Sequence, residues 1–391
     1  MKTEPVHDIE LALFFTSDIK TGMKALLEDK WTIQSPHFTK EQTLILKGVG
    51  ILLIVLHNFF HNLTPIIGEN EFSFQAQTSW RFYQTVQSHP AELLRATFTY
   101  FGHYGVQIFI FFSAYGLTRK YNKEPLVFGD FYKGRLFKIY LSFLLCLSIY
   151  ILLGLVKTAF MSDEKVFYWN SLLWKALLIS NFIPGQALMP VGPWWFLPFI
   201  FQFYLFYPLL LKLFQKFRVK FLILIGIAFS CLEWLINPFL IANDMNINYM
   251  IFGHVPVICL GVYIGARKSI KIPAIYVVLS FTLFAMAIAN SYAWLISDLT
   301  FTVLILIVFI AAFNSRLQQS AMVALLIFFG DLSFHLFMVN GFLRTPFHSF
   351  AETYNVWWID NLTALASLFF STLFAFILSR IDRRLRLIFH S

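Results

Sequence analysis

Long apolar runs alternate with short polar segments along almost the whole chain. Each run has roughly twenty residues, which is enough for an α-helix to cross the hydrocarbon core of a bilayer. We predict ten membrane-spanning helices from this pattern, at residues 43–63, 98–117, 136–160, 194–213, 221–241, 250–266, 272–290, 294–313, 322–342 and 358–377. The pattern therefore predicts an all-α fold, a polytopic membrane helix bundle with about ten transmembrane helices.

An eleventh apolar stretch, residues 167–183, is shorter and carries Lys175 near its middle. We interpret it as an interfacial or re-entrant segment. The positive-inside rule supports this choice, because an eleventh crossing would move the basic cluster at 212–220 to the outer side. Ten crossings place both termini in the cytoplasm of a multi-pass cell-membrane protein. The predicted organisation is a cytoplasmic amphipathic segment at 1–42, a membrane domain at 43–377 and a basic cytoplasmic tail at 378–391.

Composition and charge agree with a membrane protein. Hydrophobic residues make up 58% of the chain and charged residues 13%, and the net charge is +9. The basic residues cluster in short loops at helix ends, so membrane topology explains them and we expect no nucleic-acid partner. The three cysteines have no paired spacing, and the histidines lack a metal-ligand set, so no metal site is predicted.

Three ionisable side chains interrupt the first apolar run. Lys47 lies near its start, and His57 and His61 lie one helical turn apart near its end. Ionisable groups inside a span are costly and usually serve a function. His57 lies roughly 15 Å further along the helix than Lys47, so the two mark different depths. A histidine is suited to act as a general base. The alternatives are a hydrogen bond to a neighbouring helix for the histidines and interfacial snorkelling for Lys47.

Four short segments follow one another in a characteristic order. Lys47 precedes His57 on the first run, residues 105–117 read GVQIFIFFSAYGL, residues 193–197 read PWWFL and residues 330–337 read GDLSFHLF. In this order they resemble the pattern of the acyltransferase-3 family of integral membrane O-acyltransferases. The resemblance extends from about residue 42 to 377.

The resemblance implies transfer of an acyl group, usually acetyl, from acyl-CoA to a hydroxyl of a carbohydrate or related acceptor. Acyl-CoA would be a co-substrate, with no permanently bound cofactor and with membrane lipid around the protein. A hydroxyl is a weak nucleophile at neutral pH, so a base is needed. His57 is expected to be that base, with His61 as its rival. The alternative function is an exporter or flippase of a carbohydrate or lipid-linked intermediate.

Cations are needed to bind the phosphates of CoA. The candidates are Lys47, Arg119, Lys120, Arg135 and Lys138. These cations could equally be topology signals alone. Five further residues, with roles in acceptor contact or in packing near the site, are Ser113, Tyr115, Trp195, Ser333 and His335.

The chain departs from the family's pattern at both of the family's histidine positions, and the family's Arg, Arg and Pro appear here as Arg135, Lys138 and Leu141. Asn58 stands where the pattern has its first histidine, and Asn340 stands where it has a later one. Either the helix is locally rotated or overwound so that His57 reaches the site, or His61 takes its place. His103, near the end of a span, is expected to be structural.

Overall fold

The structure, a computed structural model, describes residues 32–35, 37–63, 67–161, 168–313 and 320–390, and it is helical almost throughout. The predicted all-α membrane bundle is thereby confirmed. In chain order the elements are β1 (Thr32–Ser35), α1 (Lys40–Phe60), α2 (Ala76–Ser88), α3 (Leu93–Phe101), α4 (Gly105–Tyr121), α5 (Phe128–Met161), α6 (Trp169–Ala176), α7 (Phe196–Ile241), α8 (Val255–Ala266), β2 (Ile270–Pro273), α9 (Ala274–Ala287), α10 (Ser291–Trp294), α11 (Ser297–Phe313), α12 (Ala321–Leu343), α13 (Thr345–Tyr354) and α14 (Trp357–His390).

Each of the ten predicted runs is mainly helical, although the runs at 98–117 and 250–266 include a 3-10 turn and the run at 272–290 begins in a strand. Within the described ranges, five helical segments are long and apolar enough to cross a membrane, and they belong to α1, α5, α7, α12 and α14. Helix α7 is interrupted at Arg218, whose φ of 60° and ψ of −152° are not helical, so it consists of two helices in succession. The remaining runs correspond to the shorter helices α4, α8, α9 and α11. The number of crossings stays a prediction.

A small two-stranded sheet was not predicted. Strand β1 pairs antiparallel with β2, and Ile33 lies opposite Ile272. The run expected to begin a helix at residue 272 is extended up to Pro273, because a proline disfavours the helical conformation of the residue before it, here Ile272. The pairing ties the segment before α1 to the connection between α8 and α9. Most of the predicted N-terminal amphipathic segment lies outside the described residues.

Glycines allow the central helices to touch through their backbones. A Cβ atom on Gly48 would collide with the carbonyl of Leu326, and one on Gly330 would collide with the carbonyl of Leu44. Small residues at helix crossings are the usual device for close packing inside a membrane. The contact fixes α1 against α12, so the functional faces of both helices are presented to the same interior.

The stretch 167–183 does not form a spanning helix. Helix α6 has 8 residues and is followed by a 3-10 turn at Ser180–Phe182. Eight residues extend about 12 Å, far less than a bilayer core, which agrees with an interfacial or re-entrant segment. Lys175 is fully buried here, and its Nζ donates to the carbonyl of Ala187 at 2.6 Å. At the other end of the chain, α14 runs on through the predicted tail to His390.

Candidate active site

A small pocket of about 90 Å³ lies beside the end of α1. We call it the histidine pocket. Helix α1 supplies His57, Asn58 and His61, because these positions follow one another around the last turn of a regular helix. The remaining polar lining residues are Glu69, Glu71, His103 and Arg344.

His57 is buried, and both nitrogens of its ring have polar neighbours. Its Nδ1 donates to the carbonyls of Phe98 and Thr99, each at 3.1 Å, at the end of α3. Its Nε2 lies 2.7 Å from Oε2 of Glu69 and 3.6 Å from Oε2 of Glu71. The ring is therefore fixed between the backbone of one element and the carboxylates of a loop.

Two more histidines surround His57. The ring of His61 stacks on it with centroids 4.7 Å apart, and Nδ1 of His61 donates to the carbonyl of His57 at 2.8 Å. The ring of His103 meets His57 edge to face at 5.6 Å, and its buried Nδ1 has no hydrogen-bond partner among the described residues. Three imidazoles thus share one interior, and His103, expected to be structural, lies beside the other two.

The carboxylates come from the loop between α1 and α2, which is bound to the bundle at several points. The carbonyl of Asn70 accepts from Nε1 of Trp294 at 2.8 Å, and the carbonyl of Phe72 accepts from Nδ2 of Asn246 at 2.8 Å. The Phe72 ring packs edge to face on Trp195 at 5.5 Å. These contacts hold the loop with its acidic residues turned inward.

The two carboxyls in this loop differ in acidity. Burial opposes ionisation of Glu69, but the charges of His57 and His61 outweigh burial and lower its pKa to about 2. Burial dominates at Glu71 and raises its pKa to about 7, although its contact with His57 acts in the other direction. Glu69 is therefore the stronger acid of the two, and Glu71 keeps its proton to a higher pH.

The spacing of these groups suits a shared proton better than a metal ion. One ligand atom from each of His57, His61 and Glu69 lies within 4.8 Å of the other two. In a tetrahedral zinc site, bonds of about 2.0–2.2 Å would separate the ligand atoms by roughly 3.3 Å. The 2.7 Å between His57 and Glu69 is shorter and falls in the range of charge-assisted hydrogen bonds. Arg344 adds a positive charge to the same pocket, which also opposes a cation.

A second and larger cavity of about 730 Å³ lies at the other end of α1. We call it the basic cavity, because its lining includes Lys40, Lys47, Arg135 and Lys138 and no acidic residue among those described. The Arg135 guanidinium also lies over the ring of Tyr204 at 5.7 Å. A volume of this size can hold a cofactor-sized ligand, and the charge favours an anionic one.

The two cavities are neighbours inside the bundle. Ile54, Val106 and Phe337 line both of them. Ile54 lies between Lys47 and His57 on α1, so one helix borders the basic cavity, the junction and the histidine pocket in succession. A polyanionic ligand with a long, thin arm could therefore bind its charged end at the lysines and reach the histidines with its tip.

Comparison with known proteins identifies the family of the chain. The sequence model of the acyltransferase-3 family, described as an acyltransferase domain, matches residues 45–380. The chain belongs to the acyltransferase-3 family. It is accordingly a membrane acyltransferase, as the resemblance of its four segments predicted. No curated protein and no solved structure matches the chain.

The two positions where this acyltransferase-3 chain lacks the family's histidines contact each other. Nδ2 of Asn58 donates to Oδ1 of Asn340 at 3.1 Å, and Asn340 in turn donates to the carbonyls of Leu336 and Phe337. Helix α1 is regular from Lys40 to Phe60, so no local overwinding brings His57 to the site. His57 and His61 both line the pocket although the helix is not overwound.

The structure brings together only some of the predicted CoA-binding cations. Lys47, Arg135 and Lys138 share the basic cavity, whereas Arg119 and Lys120 do not line it. Lys120 is exposed and lies 3.8 Å from Glu124, as expected of a solvated helix end. Arg119 and Lys120 follow closely after Gly116 and Leu117, which line the cavity, but they are not lining residues themselves, so their part in CoA binding stays a prediction.

The other predicted residues divide in the same way. Ser113 and Ser333 line the basic cavity, and Trp195 lines the histidine pocket. Tyr115 instead accepts a hydrogen bond from the backbone N–H of Phe38 at 3.1 Å. His335 lies 3.1 Å from Oδ2 of Asp382, away from both cavities. Tyr115 therefore holds the segment before α1 against α4, and His335 joins α12 to α14.

Glu69, Glu71 and Arg344 line the pocket but were not predicted from the sequence. Two of them lie in a polar loop and the third directly follows α12, so no apolar run draws attention to them. One signal was available. A loop with two glutamates directly after a helix that ends in two histidines offers counter-charges close to those histidines.

Proposed function

We propose that this acyltransferase moves an acetyl group from acetyl-CoA to a hydroxyl of a carbohydrate, with a pocket histidine as the base. The observation that carries the proposal is the junction of the two cavities at Ile54, Val106 and Phe337. These shared residues place a cation-lined chamber of suitable size directly beside a chamber that contains histidine bases. A donor with phosphates at one end and a thioester at the other fits both chambers at once.

The basic cavity would bind the phosphates of CoA. Lys47 on α1 and Arg135 and Lys138 on α5 offer charge-assisted hydrogen bonds, and none of the described lining residues is acidic. The pantetheine arm would pass the apolar junction and place its thioester about 15 Å further along α1, at the depth of His57. Because CoA is a cytoplasmic metabolite, the proposal orients the basic cavity toward the cytoplasm of a cell-membrane protein, with both termini on that side.

The acceptor would enter the histidine pocket from the opposite side. Its small volume admits a reacting hydroxyl rather than a whole saccharide, which suits an acceptor presented from outside. The carboxylates of Glu69 and Glu71 and the ring of Trp195 offer hydrogen-bond acceptors and an apolar surface, the groups that a hydroxyl-rich ligand needs.

The test uses membranes that contain the chain, acetyl-CoA labelled in its acetyl group, and the cell's own surface glycans as acceptors. We expect glycan-bound label and free CoA thiol in equal amounts, and we expect Lys47→Met and Arg135→Met to raise the KM for acetyl-CoA. Mass spectrometry of glycans from a deletion strain would show which sugar loses an acetyl group. Export of an unmodified glycan without release of CoA would instead favour the exporter function and refute the proposal.

A further inference from the structure

We infer that His61 is the base that takes the proton from the acceptor hydroxyl, and that Glu69 is a positioning residue that keeps His57 from serving as that base. The inference rests on the proposed function and assigns separate roles to the two stacked imidazoles. It follows from where their four ring nitrogens point.

Both nitrogens of His57 are occupied. Carbonyl oxygens only accept hydrogen bonds, so Nδ1 carries a hydrogen that faces Phe98 and Thr99. Nε2 lies 2.7 Å from Oε2 of Glu69, which is the distance of a close ion pair, although the contact does not have the angle of a hydrogen bond. Two bare lone pairs would repel each other at this distance, so one of the two atoms carries a proton. Whichever atom holds it, the lone pair of Nε2 is not available to an incoming hydroxyl.

His61 differs in one decisive respect. Its Nδ1 also faces a carbonyl, that of His57 at 2.8 Å, and therefore carries a hydrogen. The neutral ring then has its lone pair on Nε2, which has no hydrogen-bond partner among the described residues. This is the arrangement of a base whose tautomer is fixed by the backbone and whose second nitrogen is free.

The charges around His61 come from four elements. His57 stacks on it from α1, Glu69 and Glu71 approach from the loop, His103 lies in the turn before α4, and Arg344 follows α12. The NH1 nitrogen of Arg344 is buried and has no hydrogen-bond partner in the described part of the chain. It is a donor that the carbonyl oxygen of the thioester can use as negative charge develops on it.

The reaction then balances with no further reagent. The acceptor oxygen forms a bond to the thioester carbon while its proton passes to Nε2 of His61. The carbon–sulfur bond breaks, the electron pair leaves with sulfur, and His61 returns the proton to the CoA thiolate. The proton shared by His57 and Glu69 does not move during the cycle.

The test compares His57→Gln and His61→Gln in the labelled acetyl-CoA assay, each over a range of pH. His89→Gln, which replaces an exposed histidine, is the matched control. We expect His61→Gln to lower kcat by roughly 10²–10⁴ and to abolish the fall in rate on the acidic side of the profile. We expect His57→Gln and Glu69→Gln to lower kcat less and to keep that acidic limb, since the titrating base is still present.

Loss of the acidic limb in His57→Gln, alone or together with His61→Gln, would overturn the assignment. If a glutamine variant does not fold, His57→Asn and His61→Asn provide the same comparison with a shorter amide. Absence of acetyl transfer by the wild-type chain would refute the proposed function itself. Transfer with the two histidines in exchanged roles would refute only this inference.

Discussion

Replacing Gly102 with alanine should damage the site although no ionisable residue is replaced. Gly102 lies in the 3-10 turn between α3 and α4, where its missing side chain lets the turn rest on α1. A Cβ atom there would lie 2.6 Å from Cβ of His57 and 2.8 Å from the carbonyl oxygen of Leu53. Carbon atoms in contact are normally about 3.5–4.0 Å apart, so the turn must move outward by roughly 1 Å.

That movement acts directly on the ring of His57. Its Nδ1 is bound at 3.1 Å by the carbonyls of Phe98 and Thr99, which move with the turn. An added 1 Å takes both distances beyond hydrogen-bonding range. We expect overpacking to lower the free energy of unfolding by about 1–3 kcal/mol. Displacement of a catalytic pocket by 1 Å should lower acetyl transfer by about 100-fold.

The assay measures the unfolding midpoint in nanodiscs and transfer of labelled acetyl groups. Gly226→Ala is the matched control, because a Cβ on this helical glycine of α7 meets nothing within 4 Å. We expect that control to keep full activity and to be stabilised by about 0.5–1 kcal/mol. If Gly102→Ala behaves like Gly226→Ala in both measurements, close contact between the turn and α1 does not hold His57 in place.

Three further predictions follow from charge and burial. Lys47→Met should weaken acetyl-CoA binding about 10- to 100-fold, the value of one charge-assisted hydrogen bond, whereas exposed Lys268→Met should leave KM unchanged. Asp382→Asn should destabilise the fold by about 1.5–3 kcal/mol because Asp382 is buried against His335 and Arg386, while Asp331→Asn, in an exposed pair, should cost at most about 1 kcal/mol. Folding raises the pKa of Glu71 from 4.5 to about 7, so its contribution to stability is complete below pH 4.5 and is lost as the pH rises through 7. The unfolding midpoint should therefore fall between pH 4.5 and 7, and it should fall less in Glu71→Gln.

Each of these has a result that would contradict it. An unchanged KM in Lys47→Met would place the phosphates of CoA elsewhere. Equal unfolding midpoints for Asp382→Asn and Asp331→Asn would mean that the buried contacts of Asp382 add nothing to stability. If Glu71→Gln lost stability with rising pH as steeply as the wild type, the carboxyl that titrates near neutral pH would be a different one.

The helices could be predicted because hydrophobicity alone specifies them. A chain surrounded by lipid must satisfy its backbone hydrogen bonds internally, so an apolar run of sufficient length becomes a helix. Lys47 and His57 were assigned to two depths of one helix for the same reason, and the structure places them in two different cavities. What depends on position along a single helix was accessible from the sequence.

Features that depend on contact between elements could not be predicted from the sequence. Glu69 reaches His57 only because its loop is bound by Trp294 and Asn246, residues far away in the chain. Arg119 and Arg135 look alike in sequence, yet only Arg135 lies on the helix face that borders the basic cavity. The pairing of β1 with β2 was missed because four-residue strands carry almost no pattern of their own.

The hydrogen bond between Asn58 and Asn340 couples substitutions at two positions that are far apart in the chain. A histidine introduced at position 58 alone would remove the amide that donates to the buried Oδ1 of Asn340, and an unpaired buried oxygen costs about 1–3 kcal/mol. Only the double replacement could exchange one complementary pair for another. An evolutionary route between this active site and one with histidines at both positions therefore passes through a less stable intermediate, so mutational drift alone would rarely interconvert the two designs.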